Sequence, residues 1–331
     1  MWQKLFRFLS LTGLLNFSRL LNLLKLYLAH RRAIFSGKVQ LLPPYAISLE
    51  LSSICNLKCP QCPVGLGEIN REKKMMDTRF AMDQISRFAR HGIVVNFYFQ
   101  GESLLHHDFF KIASFSTSKK LYTILSTNGT MINKKMAEKI VDSGIQKLII
   151  SVDGLNQATY EKYRSGGNAE KVWEGIRLIR DARQEKHSVW PKIVVQTLVN
   201  RYNQNELGSI KKKALMAGAD NTLFKTMQIY IDHENWLPDD KKYSRYSGKE
   251  LRKKAKGHCF RAFSGIVISA DERFLPCCYD KQASHDLGHG IKNFDKIVRS
   301  PARKKFLQQI YETQTMHEIC ENCPEAMRVY K

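Results

Sequence analysis

From Pro43 onward the chain alternates short β-rich runs with helical windows, and this alternation limits the fold more than any other feature. Strand candidates lie at Ala46 to Ser53, Val94 to Gly101, Tyr122 to Gly129, Lys147 to Gly154, Lys192 to Val199 and Thr222 to Ile229. Between them, apolar residues at helical spacing fill Arg79 to His91, Asp108 to Lys119, Lys134 to Ser143, Ala169 to Gln184 and Asn205 to Ala217. Strands separated by helices of that length are βαβ units, whose right-handed crossovers give a parallel sheet with buried strands. Six such units predict an α/β fold, a partial (β/α)6 TIM-type barrel. With 331 residues, 43% of them hydrophobic, the chain can bury a real core, which excludes disordered and fibrous classes.

The flanks differ from this middle, and four segments are expected: 1–43, 44–230, 231–256 and 257–331. Residues 1–43 hold no Asp or Glu but carry Lys4, Arg7, Arg19, Lys25, Arg31, Arg32 and Lys38 among leucines at spacings of three and four. That pattern is a basic amphipathic helix with a break near Thr12 and Gly13. Such a helix either lies peripherally on an anionic membrane face or packs on the following domain, and periodicity fits both. No uncharged run reaches the roughly 18 residues of a membrane span, and no small-residue cleavage site follows the apolar start. A polytopic or secreted protein is disfavoured, and a cytoplasmic location is expected, with peripheral contact on the inner membrane face as an option. Residues 231–256 are polar and charged and read as a linker, whereas 257–331 form a small cysteine-rich domain with a hairpin over Gly265 to Pro276 and a helix near Pro301 to Glu312.

The eight cysteines are unevenly placed: Cys55, Cys59 and Cys62 cluster, none follows until Cys259, then come Cys277, Cys278, Cys320 and Cys323. Tight clusters in a long chain point to thiolate metal ligands rather than a disulfide framework. The string CNLKCPQC directly follows the first strand, so its three thiols sit at the barrel rim where strand-to-helix loops assemble chemistry. Three thiolates on one four-iron cluster leave one iron open.

A C-x3-C-x2-C loop after a first strand, with Asn56 and Leu57 inside it, resembles the signature of the radical S-adenosylmethionine (radical SAM) enzymes. The resemblance implies a [4Fe-4S] cluster on Cys55, Cys59 and Cys62, with the open iron chelated by SAM. Gln61 departs from the aromatic residue usual at that position. Gln100-Gly101-Glu102-Ser103 after the second strand is similar to the family's Gly-Gly-Glu-Pro, which places Glu102 near the methionine ammonium. The resemblance also implies SAM contacts from Ser126 and Asn128 after strand three, Ser151 and Asp153 after strand four, Arg164 toward the methionine carboxylate, and Gln196 on strand five. Read singly, Asn128-Gly129 and Asp153-Gly154 are ordinary turn dipeptides, and Glu102 and Arg164 ordinary charges.

The second group, Cys259, Cys277, Cys320 and Cys323, numbers what one fully ligated cluster or one structural zinc needs. Behind a radical SAM barrel it looks like a twitch domain, the shortened SPASM extension, which implies an auxiliary [4Fe-4S] cluster. Cys277 and Cys278 are alternative ligands. Glu272 stands where a turn glycine is usual. In the related sulfatase maturases an acid after the matching cysteine takes the substrate proton, so Cys278 or Asp280 is expected to face substrate as a catalytic group.

The resemblance implies an oxidoreductase that cleaves SAM to a 5′-deoxyadenosyl radical and removes hydrogen from a carbohydrate or small metabolite. A peptide- or protein-modifying maturase is the alternative, and an electron donor such as flavodoxin or ferredoxin is the expected partner. The net charge of +22 admits another class, a basic iron–sulfur protein that binds RNA or membrane without SAM turnover. The lysines are scattered and no RNA-binding motif is present, so nucleic acid is not an expected partner.

Overall fold

The computed structural model describes residues 16–252, 258–290, 294–312, 317–321 and 323. Six strands lie side by side in chain order, each parallel to its neighbour: β1 (Ala46–Leu49), β2 (Val94–Phe97), β3 (Tyr122–Thr127), β4 (Lys147–Ser151), β5 (Lys192–Val199) and β6 (Asn221–Thr226). Ile47, Leu125, Leu148 and Ile150 share one core with helix residues Ile85, Ile140, Trp173 and Ile176. The helices start where a short polar side chain can serve the free amides of the first turn. Asp77 accepts from Phe80 N–H at 2.8 Å, Asn133 from Met136 at 2.9 Å and Asn168 from Lys171 at 2.9 Å. The strands begin where the pattern puts them, or one residue earlier for β6, but most end sooner. β1 stops at Leu49 because the next side chain, Glu50, is fully buried and engaged by Arg71.

The C-terminal part is continuous with the barrel sheet. β7 (Tyr246–Ser247) and β8 (Glu250–Leu251) form a separate ribbon. β9 (Gly265–Ile268) pairs parallel with β1, β10 (Arg273–Leu275) antiparallel with β9, and β11 (Gly288–His289) antiparallel with β10. Nine strands therefore form one sheet, and the hairpin expected in an independent cap extends the barrel instead. The expected linker is also folded. Trp236 and Tyr246 pack with Leu57, Cys59 and Tyr163, so this segment walls the first cysteine loop.

The helix Phe17–Ser36 closes the opposite end of the barrel. Asn16 caps it by accepting from Arg19 N–H, and Gly37, at φ +69°, ends it with its N–H on the Ala33 carbonyl. Leu26, Ala29 and Ala33 pack with Phe263, Leu307, Ile310 and Tyr311. The Arg19 guanidinium donates to the carbonyls of Ala89, Lys119 and Lys120, and Asn22 to those of Pro43 and His91. One face thus packs on the domain, while Phe17, Leu24, Leu28 and Phe35 are exposed on the other. The expected break at Thr12 and Gly13 lies outside the described residues, among which no helix is long and apolar enough to cross a membrane.

Candidate active site

Cys55, Cys59 and Cys62 leave the end of β1 in one loop, and short-range geometry holds it. Gly65 passes so close to the Cys59 backbone that an added Cβ would stand 2.3 Å from its carbonyl oxygen, so only glycine fits. Donors converge on the sulfurs: Leu57 N–H lies 3.4 Å from Cys55 Sγ, Asn128 Nδ2 3.9 Å from the same atom, and Arg164 Nη1 3.8 Å from Cys59 Sγ. Burial pushes the Cys59 thiol up to about 11, and Arg164 acts in the opposite direction. A cation and amide donors aimed at sulfur suit thiolate ligands, so the donor set fits an iron–sulfur cluster. Among the described residues, no three His, Cys, Asp or Glu side chains stand together tightly enough to hold a metal ion as they are placed.

The strand-end residues form a supporting network around this loop. Asp153 is buried; its carboxylate accepts from Arg164 Nε at 2.5 Å and from Leu198 N–H at 2.6 Å, which fixes the guanidinium beside Cys59. Asn128 donates to Asn56 Oδ1 at 2.8 Å, tying the third strand end to the cysteine loop. Gly101, at φ +65°, runs against the first strand's exit: a Cβ there would meet the Ser52 carbonyl at 2.1 Å. Glu102 turns inward, and its carboxylate accepts backbone amides from Leu104 at 3.2 Å and Asn128 at 2.8 Å. Burial raises its pKa, and those amides oppose the rise. Its carboxylate therefore serves the two strand ends, and the polar groups turned toward a ligand here are those of the Gln100-Gly101 turn. Gln196 on β5 lines the cavity beside the loop; Ser126 on β3 and Ser151 on β4 do not.

That cavity has a volume of about 500 Å³ and runs from Cys62 and Gly101 across Gln196 to Arg245, Tyr279 and Lys281. A second cavity of about 670 Å³ lies over the inward faces of β1 to β4 and is lined by Ser48, Asn96, Cys277 and Cys278, with Arg261 common to both. The second cysteine group gathers beside it. Cys259 raises the pKa of both Cys277 and Cys320, and Cys323 does the same for Tyr279, so all four thiols act within one neighbourhood. Cys278 faces the cavity and receives Arg261 Nη1 at 3.3 Å. Asp280 corrects the expectation that it faces substrate. It is fully buried, lines neither cavity, and its two oxygens cap the amides of Ser284 at 2.7 Å and His285 at 2.9 Å. A carboxylate satisfied by its own turn has no lone pair aimed at a ligand.

Three features of this site have no local signal in the sequence. Gln61, which departs from the family pattern, is buried and clamps the cysteine loop to the chain after β6: Nε2 donates to the Ile231 carbonyl, and Oε1 accepts from Tyr230 N–H, both at 2.8 Å. Arg71 makes a bidentate pair with Glu50 at 2.8 and 2.9 Å, reaches Asp271 at 3.2 Å and donates from Nε to the Lys281 carbonyl at 2.9 Å. Its partners lie 21 to 210 positions away, so only the folded chain joins them. Lys281 itself reads as one lysine among many. It is nevertheless held by the Tyr230 hydroxyl and by Gln228 Oε1 at 3.2 Å, and burial pushes its pKa down to about 8.

Comparison with known proteins adds to this geometry. Residues 49–207 match the radical SAM superfamily, and residues 259–324 match SPASM, an iron–sulfur cluster-binding domain. An AdoMet-dependent heme synthase of Methanosarcina barkeri is 30% identical over 146 residues, 42% of this chain and 40% of that protein. A PqqA peptide cyclase of Granulibacter bethesdensis is 22% identical over 282 residues, 82% of this chain and 70% of that one. The chain spans less than half the length of the heme synthases it matches, 40% and 45% in two cases. The crystal structure of BtrN in complex with AdoMet and 2-DOIA superposes with a TM-score of 0.53 at 18% identity, covering 84% of this chain and 92% of that one, a likeness of fold.

Proposed function

From a chain that carries a radical SAM domain followed by a SPASM iron–sulfur cluster-binding domain, we propose an oxidoreductase that takes hydrogen from a carbohydrate or small-metabolite substrate. A four-iron cluster with SAM supplies a 5′-deoxyadenosyl radical for that abstraction, and an auxiliary cluster supplies a place for the electron the substrate then gives up. Cys55, Cys59 and Cys62 would hold the first cluster and Cys259, Cys277, Cys320 and Cys323 the second. Arg164, fixed by Asp153, would keep positive charge beside Cys59 and offer its guanidinium to a carboxylate. Leu57, Tyr163, Trp236 and Tyr246 pack around the loop and exclude water from it, which a reactive primary radical requires.

The observation that carries this reading is the position of the 500 Å³ cavity, with Cys62 in one wall and, in another, Arg261 hydrogen-bonded to Cys278. A substrate there would stand between the two cysteine groups. The test is anaerobic incubation of the reconstituted protein with SAM and dithionite. The expected result is 5′-deoxyadenosine, and a protein with a full complement of iron that yields none refutes the proposal and favours the non-enzymatic binding class. A peptide substrate is the second reading, supported by the 22% identity to the PqqA peptide cyclase over most of this chain.

A further inference from the structure

The cavity has a charge pattern that hydrogen abstraction alone does not require. Lys225, Arg245, Arg261 and Lys281 line it, and no Asp or Glu does. Arg261 is engaged with the Cys278 sulfur. Lys281 is held by neutral partners, the Tyr230 hydroxyl and Gln228, and among the described residues neither Lys225 nor Lys281 forms an ion pair with a carboxylate. The cations act on one another. After burial, which is the larger cause, Arg261, Lys147 and Arg245 lower the Lys225 pKa, and Arg245 lowers that of Lys281.

Gathering like charge in a recessed site is unfavourable unless an anion is to be bound there. The lysine is also mounted rigidly. Arg71 holds its carbonyl, and the adjacent Gln282 both accepts from Asn70 N–H at 2.9 Å and donates to the Glu68 carbonyl at 2.5 Å. A SAM carboxylate has a cation of its own in Arg164, which lies outside the cavity lining.

We infer, resting on the function proposed above, that Lys225, Lys281 and Arg245 form a subsite for an anionic group of the substrate, a carboxylate or a phosphate. The substrate class narrows from small metabolites in general to acidic ones, and the anion anchors the molecule while a neutral part lies toward Cys62.

The experiment is anaerobic isothermal titration of the holoenzyme at low salt with pyrophosphate, citrate and glucose. At least one anion should bind and glucose should not, and the anion preferred assigns phosphate or carboxylate. Lys225→Gln and Lys281→Gln should each weaken that anion by about tenfold or more, the loss expected for a charge-assisted contact. Lys281→Arg should restore most of the affinity, and the exposed pair Lys211→Gln/Lys212→Gln should bind like the parent. Failure of both anions to bind the parent overturns the inference whatever the variants do, as does unchanged affinity in variants whose melting curves match the parent. Because heat rather than turnover is read, a protein that forms 5′-deoxyadenosine but binds no anion sinks only this inference. One that binds the anion but forms no 5′-deoxyadenosine sinks only the function above.

Discussion

The two cysteine groups are built in opposite ways. Cys55, Cys59 and Cys62 lie within one eight-residue loop, braced by a glycine six positions past Cys59 and by residues at adjacent strand ends. Cys259, Cys277, Cys320 and Cys323 come from points up to 64 positions apart and meet only because other elements bring them together. The helix Phe17–Ser36 packs on the segment after Cys259 and on the helix Pro301–Tyr311 before Cys320, while Arg71 joins Glu50 to the hairpin turn at Asp271. Local chain geometry can specify the first site; the second depends on the whole domain's stability.

The sharpest way to break that comparison is to remove one thiol from each group. Cys62→Ala should abolish 5′-deoxyadenosine formation, a loss of at least about a hundredfold, because the cofactor performs the difficult step. Cys320→Ala should keep SAM cleavage and lose roughly half the bound iron, as one of two four-iron clusters would account for. Equal loss of cleavage in both would erase the distinction. Next comes the junction. Arg71→Met should cost about 3–5 kcal/mol in urea denaturation, since it strands the buried Glu50 carboxylate. Adding Glu50→Gln should recover part of that loss, and no recovery would mean that the pair's charge is not what holds the hairpin.

Leu26→Ala tests the long-range support more gently. Leu26 is fully buried against the elements that carry the second group, so truncation should cost about 3 kcal/mol and lower iron content at that group first. Parallel loss from both groups would contradict the contrast. The smallest expected effect is a gain. Glu272 sits at φ +63° in the turn between β9 and β10, a conformation that penalises a side chain. Glu272→Gly should raise stability by about 1 kcal/mol, read as a higher melting temperature, and any loss would show that the side chain is needed.

The barrel was legible because alternating apolar runs and helical windows are short-range patterns. β5 occupies the residues its pattern marks, Lys192 to Val199. Strand exits were less legible, because where a strand stops depends on partners such as Arg71 for Glu50. The same limit explains Asp280, whose residue type suits catalysis but whose oxygens cap its own turn. It also explains Gln61, a departure from pattern that became a clamp once Tyr230 and Ile231 lay beside it.

What the sequence alone determined is the parallel barrel order and a three-cysteine loop at the rim, both carried by neighbours along the chain. Only the tertiary structure decided that the C-terminal hairpin joins the sheet beside β1, that the supposed linker walls the loop, and that a ring of cations faces it. The physical reason is range. Periodicity and turn chemistry act over a few residues, whereas buried ion pairs and cavity walls are made by side chains hundreds of positions apart, and their energies exist only after the chain has folded.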